Sequence, residues 1–137
     1  GYYIYEAGSR ASVPNPKIPE LIAAEQAALN VTPRDFTDEE IVRRYMCAMV
    51  NEAAKVVEEG IARRPADVDM VLLFGYGFPR YRGGPLKWAD SQGLDTVLAD
   101  IERFAKDDPW FWRPSVLLKT LVADGRRFDD LNRAPAK

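Results

Sequence analysis

The chain has 137 residues, 47% of them hydrophobic, which suits one domain with a real core. Nineteen Lys and Arg against 21 Asp and Glu leave a formal charge of −2, so no whole-chain attraction to nucleic acid or an anionic membrane is expected. There is no histidine and one cysteine, Cys47, which excludes imidazole-based acid–base catalysis, most zinc-site chemistry and an intramolecular disulfide.

Residues 1–16 read as an irregular lead-in. Three tyrosines fall within the first five residues, and Pro14 and Pro16 stop a helix there. The aromatic run could form a short strand, but no partner for it is evident nearby, and it is expected to lie against the domain surface or against a preceding domain. Gly1 is not a Met, and this points to a start inside a longer protein. No basic segment followed by an apolar run marks a signal peptide. With a lone cysteine, the reading is a cytoplasmic protein without a membrane span.

A helical domain is expected over 17–132. Its first helix runs from Pro19 to Leu29, rich in Ala, Glu and Leu, and ends at Asn30 before Pro33. Thr37 with Glu40 three residues on forms a capping signature, with Asp38 and Glu39 in the first turn. Apolar residues then recur through Ile41, Tyr45, Met49, Ala53, Val56, Val57 and Ile61. Val42, Met46 and Val50 widen the stripe, so this is expected to be the central helix. Pro65 closes that region, and a helix from Ala66 or Asp67 carries Val68 to Phe74. Pro85 suits the first position of the next helix, which Gly93 breaks. Leu94 to Ala105 presents Leu94, Val97, Leu98, Ile101 and Phe104 on one face. Asp107, Asp108 and Pro109 turn the chain into Trp110, Phe111 and Trp112, three rings that cannot all point inward. A last helix spans Pro114 to Ala123 with Val116, Leu117, Leu118 and Leu121 inside, and Gly125 caps it. Phe128 is placed to fold back, and 133–137 reads as a frayed tail. The fold class is all-α, a bundle of five to six helices.

Three segments could carry chemistry. The loop from Phe74 to Pro85 holds Gly75, Gly77, Gly83 and Gly84, with Pro79 and the cations Arg80 and Arg82. It feeds a helix N-terminus, where free N–H groups attract anions. One reading is a seat for a phosphate-bearing ligand such as coenzyme A, or a docking edge; the other is a tight turn stapled by its aromatics. The loop is not a dinucleotide fingerprint, because Gly-x-Gly-x-x-Gly after a strand is absent. Asn51 and Glu52 are polar residues in the middle of the central helix. Glu52 could be a base of raised pKa or the partner of Arg43, Arg63, Arg64 or Arg82. The aromatic run at 110–112 beside Arg113 fits an interface or a lid on the core, and Cys47 fits a small core hydrophobe.

Taken together, several stretches resemble one family. They are Gly1–Tyr5, Met49-Val50-Asn51-Glu52-Ala53-Ala54, Glu58-Glu59-Gly60-Ile61-Ala62, Arg64-Pro65-Ala66-Asp67-Val68-Asp69, Gly75-Tyr76-Gly77-Phe78-Pro79, Arg82-Gly83-Gly84-Pro85 and Ala89-Asp90-Ser91-Gln92-Gly93-Leu94. With Leu117-Leu118 and Gly125-Arg126-Arg127-Phe128, they look like the second helical C-terminal domain of multifunctional 3-hydroxyacyl-CoA dehydrogenases of fatty-acid β-oxidation. The resemblance implies a helical domain of the 6-phosphogluconate dehydrogenase C-terminal type. It implies a parent that joins an enoyl-CoA hydratase to an NAD-dependent dehydrogenase of L-3-hydroxyacyl-CoA. The parent's catalytic His–Glu pair would lie in its NAD domain, so no catalytic or cofactor-binding residue is carried onto this chain. The implied partners are the preceding helical and NAD-binding domains, the parent's acyl-CoA substrate, and a second copy of the chain. Gly75, Gly77, Pro79, Arg80, Arg82, Gly83, Gly84 and Asn51 are the candidates for an inter-domain or acyl-CoA-proximal surface.

Overall fold

The computed structural model describes residues 1–133, so most of the expected frayed tail at 133–137 lies outside the described residues. The chain divides into two compact units, Gly1–Phe36 and the residues from Thr37 onward. The first helix, grouped with the bundle on sequence grounds, belongs to the first unit.

In the first unit, β1 (Tyr3–Tyr5) and β2 (Ser12–Pro14) form an antiparallel hairpin, with Ile4 opposite Val13. The aromatic lead-in therefore does have a strand partner. A partner nine residues downstream, Val13 for Ile4, was hidden because Pro14 reads as a breaker, yet at an edge its missing N–H costs nothing. Both strands are exposed throughout. Helix α1 (Ile18–Ala28) takes Pro19 in its first turn and stops where Asn30 adopts φ 54°. Its expected apolar side, Leu21 to Leu29, buries no residue.

The second unit is a bundle of α2 (Asp38–Glu58), α3 (Pro65–Gly75), α4 (Pro85–Gln92), α5 (Leu94–Phe104), α6 (Val116–Ala123) and the short α7 (Phe128–Asn132). Thr37 caps α2 by accepting from the Glu40 N–H at 3.2 Å. Helix α2 ends three residues earlier than its apolar pattern, because Gly60 takes φ 71° and the Ile61 N–H turns back to the Val56 carbonyl at 3.1 Å. It is the central helix, packing against α3, α4, α5 and α6. The buried side is Met46, Cys47, Val50, Asn51, Ala53 and Ala54. The expected stripe was wider, but Ile41, Val42, Tyr45 and Ile61 are exposed.

The core completes with Leu86, Trp88 and Ala89 of α4, Val97, Ile101 and Phe104 of α5, and Leu118 and Leu121 of α6. Burying each large aliphatic of this set is worth about 1.5–3 kcal/mol. Val116, expected inside, is exposed as the first residue of α6, which starts two residues later than its Pro suggests. Of the aromatic run, Trp112 is 7% exposed and packs tilted against Phe104 at 5.0 Å between ring centres, while Trp110 is 85% exposed. Phe128 is buried and opens α7, a helix that the sequence showed only as a fold-back.

Candidate functional site

The Gly/Pro loop leaves α3 through Tyr76, and Gly77 takes φ 70°. Phe78 returns to the core, its N–H on the Leu72 carbonyl at 3.0 Å. A single 3₁₀ turn, Arg80–Arg82, follows, and Gly83 and Gly84 at φ 76° and 106° aim the chain into α4. The N-terminus of α4 is the spot where an external anion was expected. It is already filled: Asp69 of α3 accepts from the Leu86 N–H at 2.8 Å and the Lys87 N–H at 3.0 Å. A Cβ on Gly84 would lie 2.4 Å from the Asp69 carboxyl, so Gly84 is glycine to admit that carboxylate. The phosphate seat over this helix end is thereby withdrawn. Burial pushes the Asp69 carboxyl up to about 6, against the pull of the two N–H groups.

The same device recurs. Asp90 of α4 accepts from the Phe128 and Asp129 N–H groups, both at 2.9 Å, and so starts α7. Burial raises its pKa too. Neither carboxylate shows a sequence signal, since each caps a helix other than its own.

The remaining loop candidates separate. Gly75 ends α3. Gly77, Pro79 and Arg82 line a cavity of about 270 Å³ with Val42, Tyr45, Met49, Leu72 and Tyr81. Arg80, Arg82 and Gly83 line a second hollow of about 490 Å³ with Tyr81, Lys87, Trp88, Ser91 and Gln92.

Asn51 does not join them. It is 2% exposed and clamps the segment before α6: its amide donates to the Arg113 carbonyl at 3.0 Å, and its carbonyl accepts from the Ser115 N–H at 2.8 Å. Glu58 reinforces the clamp, accepting from the Ser115 hydroxyl at 2.8 Å and the Leu117 N–H at 3.0 Å. The Leu117 N–H is the main cause holding its carboxyl below the ordinary range. Glu52 is exposed and pairs with Lys55, one turn away, rather than with any of the four arginines considered. Cys47 is fully buried and burial pushes its thiol up to about 11, so it is no nucleophile at neutral pH.

A feature the sequence reading missed is a groove between α2 and α3. Its volume is about 690 Å³, and Met49, Ala53, Val56, Ile61, Ala62, Val68, Val71 and Leu72 line it, with Glu52, Arg63 and Asp67 at the polar edge. Ile61 is 72% and Val71 58% exposed. The groove joins the 270 Å³ cavity through Met49 and Leu72. The width of the α2 stripe was the signal: Met46, Val50 and Ala53 face the core, whereas Met49, Val56 and Ile61 line this groove.

Among the described residues, no three His, Cys, Asp or Glu side chains gather as a metal site, and no helix is long and apolar enough to cross a membrane.

A family model described as the C-terminal domain of 3-hydroxyacyl-CoA dehydrogenase matches residues 41–130, nearly all of the helical bundle. The chain is 41% identical to a peroxisomal bifunctional enzyme of Danio rerio and 34% identical to that of Homo sapiens, in each case over 91% of the chain and 18% of the relative. It is 31% identical to a peroxisomal fatty acid beta-oxidation multifunctional protein of Arabidopsis thaliana, over 100% of the chain and 19% of that protein. The chain thus spans less than a fifth of the length of these relatives.

Proposed function

Because the chain belongs to the family of 3-hydroxyacyl-CoA dehydrogenase C-terminal domains, we propose that it is an accessory, dimerisation-like domain of an NAD-dependent L-3-hydroxyacyl-CoA dehydrogenase. The observation that carries this reading is the apolar groove between α2 and α3. An exposed apolar surface of this kind marks an interaction site, and it is built on two rigid helices. The occupant we propose is the preceding helical domain of a longer chain, and that domain would also meet Gly77, Pro79 and Arg82 at the adjoining cavity. The short match to much longer relatives supports this. NAD and the acyl-CoA substrate would then be held by the other domains. The chain has no histidine, and its one carboxyl raised to about 6, Asp69, is spent on the first N–H groups of α4.

Location follows the same division. The lone buried thiol suits a reducing cytoplasm, whereas all three relatives described above are named as peroxisomal proteins. We favour the cytoplasm or the matrix of such an organelle over a secreted setting.

A second reading is a free-standing acyl-CoA-binding module, which the 690 Å³ volume of the groove would accommodate. Sedimentation velocity separates the two. On the docking reading the 137-residue chain alone self-associates through the uncovered groove, and Ile61→Asp with Val71→Asp returns it to a monomer. A wild-type chain that stays monomeric at high concentration, and binds acyl-CoA with an affinity that grows with acyl length, would favour the module instead.

A further inference from the structure

We infer that α3 and α7 open from the bundle together, as one unit closed by a ring of helix caps, so that the α3 wall of the groove is a movable part. In this ring α3, α4 and α7 each cap the N-terminus of the next. Asp69 of α3 accepts from the Leu86 and Lys87 N–H groups of α4 at 2.8 and 3.0 Å. Asp90 of α4 accepts from the Phe128 and Asp129 N–H groups of α7, both at 2.9 Å. Asn132 of α7 closes the ring by accepting from the Ala66 N–H of α3 at 2.9 Å. The Asn132 amide is oriented for this, because its nitrogen donates to the Asp129 carboxylate at 3.2 Å. There is no slack at Asp69, where a Cβ on Gly84 would lie 2.4 Å from the carboxyl.

The helices depend on the ring unequally. Helix α4 is anchored without it, by Leu86, Trp88 and Ala89 in the core. Helix α3 buries only Pro65 and Asp69, while Val68, Leu72 and Leu73 are half-buried against the core. Helix α7 has five residues, and Phe128 is its buried side chain. Once detached, helices of 11 and five residues are too short to persist in water. When Asp90 lets go, α7 unravels, Asn132 leaves with it, and the first turn of α3 loses its acceptor. Release of Asp69 frees α3 from the other side. The caps therefore make and break as a set, which is the behaviour of a cooperative unit inside a native protein.

Helix α3 supplies Val68, Val71 and Leu72 to the groove, so opening the unit removes one wall of it. The consequence for docking rests on the function proposed above: a partner seated on α3 holds the ring shut, and by reciprocity a shut ring presents α3 to the partner.

Hydrogen exchange followed by NMR on the 137-residue chain tests the unit. In dilute solution the amides of Ala66, Val71, Leu86, Lys87, Phe128 and Asp129 should share one opening constant, about tenfold or more above that of Ile101 and Phe104 in α5. Asn132→Ala leaves one N–H without its acceptor and should speed all of the shared set by a common factor of about ten. Thr37→Ala weakens a cap outside the ring and should leave the set unchanged. Acceleration confined to Ala66 in Asn132→Ala would overturn the unit, because the caps would then be independent. An equal acceleration in Thr37→Ala would overturn it too, because unfolding of the whole bundle would be the event observed. Concentrating the chain until it self-associates should slow the set, and Ile61→Asp with Val71→Asp should abolish that slowing. A set that keeps its dilute rates in the associated chain would disconnect the ring from the groove. A chain that never associates, while the set still moves together, would remove the docking reading and leave the ring standing.

Discussion

Asp69 shows how a single side chain can look like a functional group and serve the fold. It is a buried carboxylate in a loop-and-helix corner, the setting in which a catalytic acid or an anion site is sought. Its two oxygens are instead spent on the first N–H groups of α4. Burial dominates its ionisation: the fold holds the proton to about pH 6, while the free side chain releases it near 3.8. Asp90 adds repulsion and Lys87 opposes it. Between those pH values the folded chain binds more protons than the unfolded chain, so this group's contribution is largest in acid and declines as pH rises through 6. Asp69→Asn removes the titration and keeps the shape. Relative to that variant, the wild type should lose on the order of 2 kcal/mol of stability between pH 4 and pH 7. Urea unfolding at several pH values measures the difference. A wild type that gains on the variant as pH rises would show that the two N–H groups, not burial, set the ionisation.

At the scale of elements, the joint between α2 and α6 rests on Asn51 and Glu58. The chain between Phe111 and Val116 forms no helix of its own, and Asn51 satisfies one carbonyl and one N–H in it from inside the bundle. Asn51→Leu is close in volume but leaves both backbone groups unpaired, so a loss of about 2 kcal/mol is expected. Hydrogen exchange at Ser115 and Leu118 should accelerate in that variant while α4 and α5 keep their protection. Uniform acceleration across the bundle would contradict a local clamp.

The elements also show what can be read from residues alone. Starts and stops came from chemistry within a turn of the event. Thr37 before α2, Pro85 opening α4, Gly93 between α4 and α5, and the face of α5 with Ile101 and Phe104 all stand as read. Whatever depends on a residue distant in sequence was not legible. The caps from Asp69 and Asp90, the clamp by Asn51 and the five-residue α7 all draw their stability from partners brought near only by folding. The candidate site divides in the same way. Its glycines were read as positions of special backbone, while the reason at Gly84 is a carboxylate fifteen residues upstream.

Across the whole molecule, the buried hydrophobic residues run from Met46 to Phe128, and none lies in the first unit. The residues of Gly1–Phe36 are exposed or half-exposed throughout. The hairpin and α1 are held by local bonds, such as the Asn15 N–H on the Tyr2 carbonyl at 2.9 Å. A unit with no buried apolar side chain adds little of the term that dominates folding free energy. The second unit has its own capped helices and a continuous core, and the family match begins within its first helix. A chain starting at Thr37 should therefore fold alone. Its thermal midpoint should stay within about 8 °C of the full chain's, the shift that ~1 kcal/mol produces in a domain of this size. Its circular dichroism should lose only the share of helix that α1 supplies. A truncated chain that aggregates, or melts with a broad low transition, would mean that the bundle does not fold without the first 36 residues.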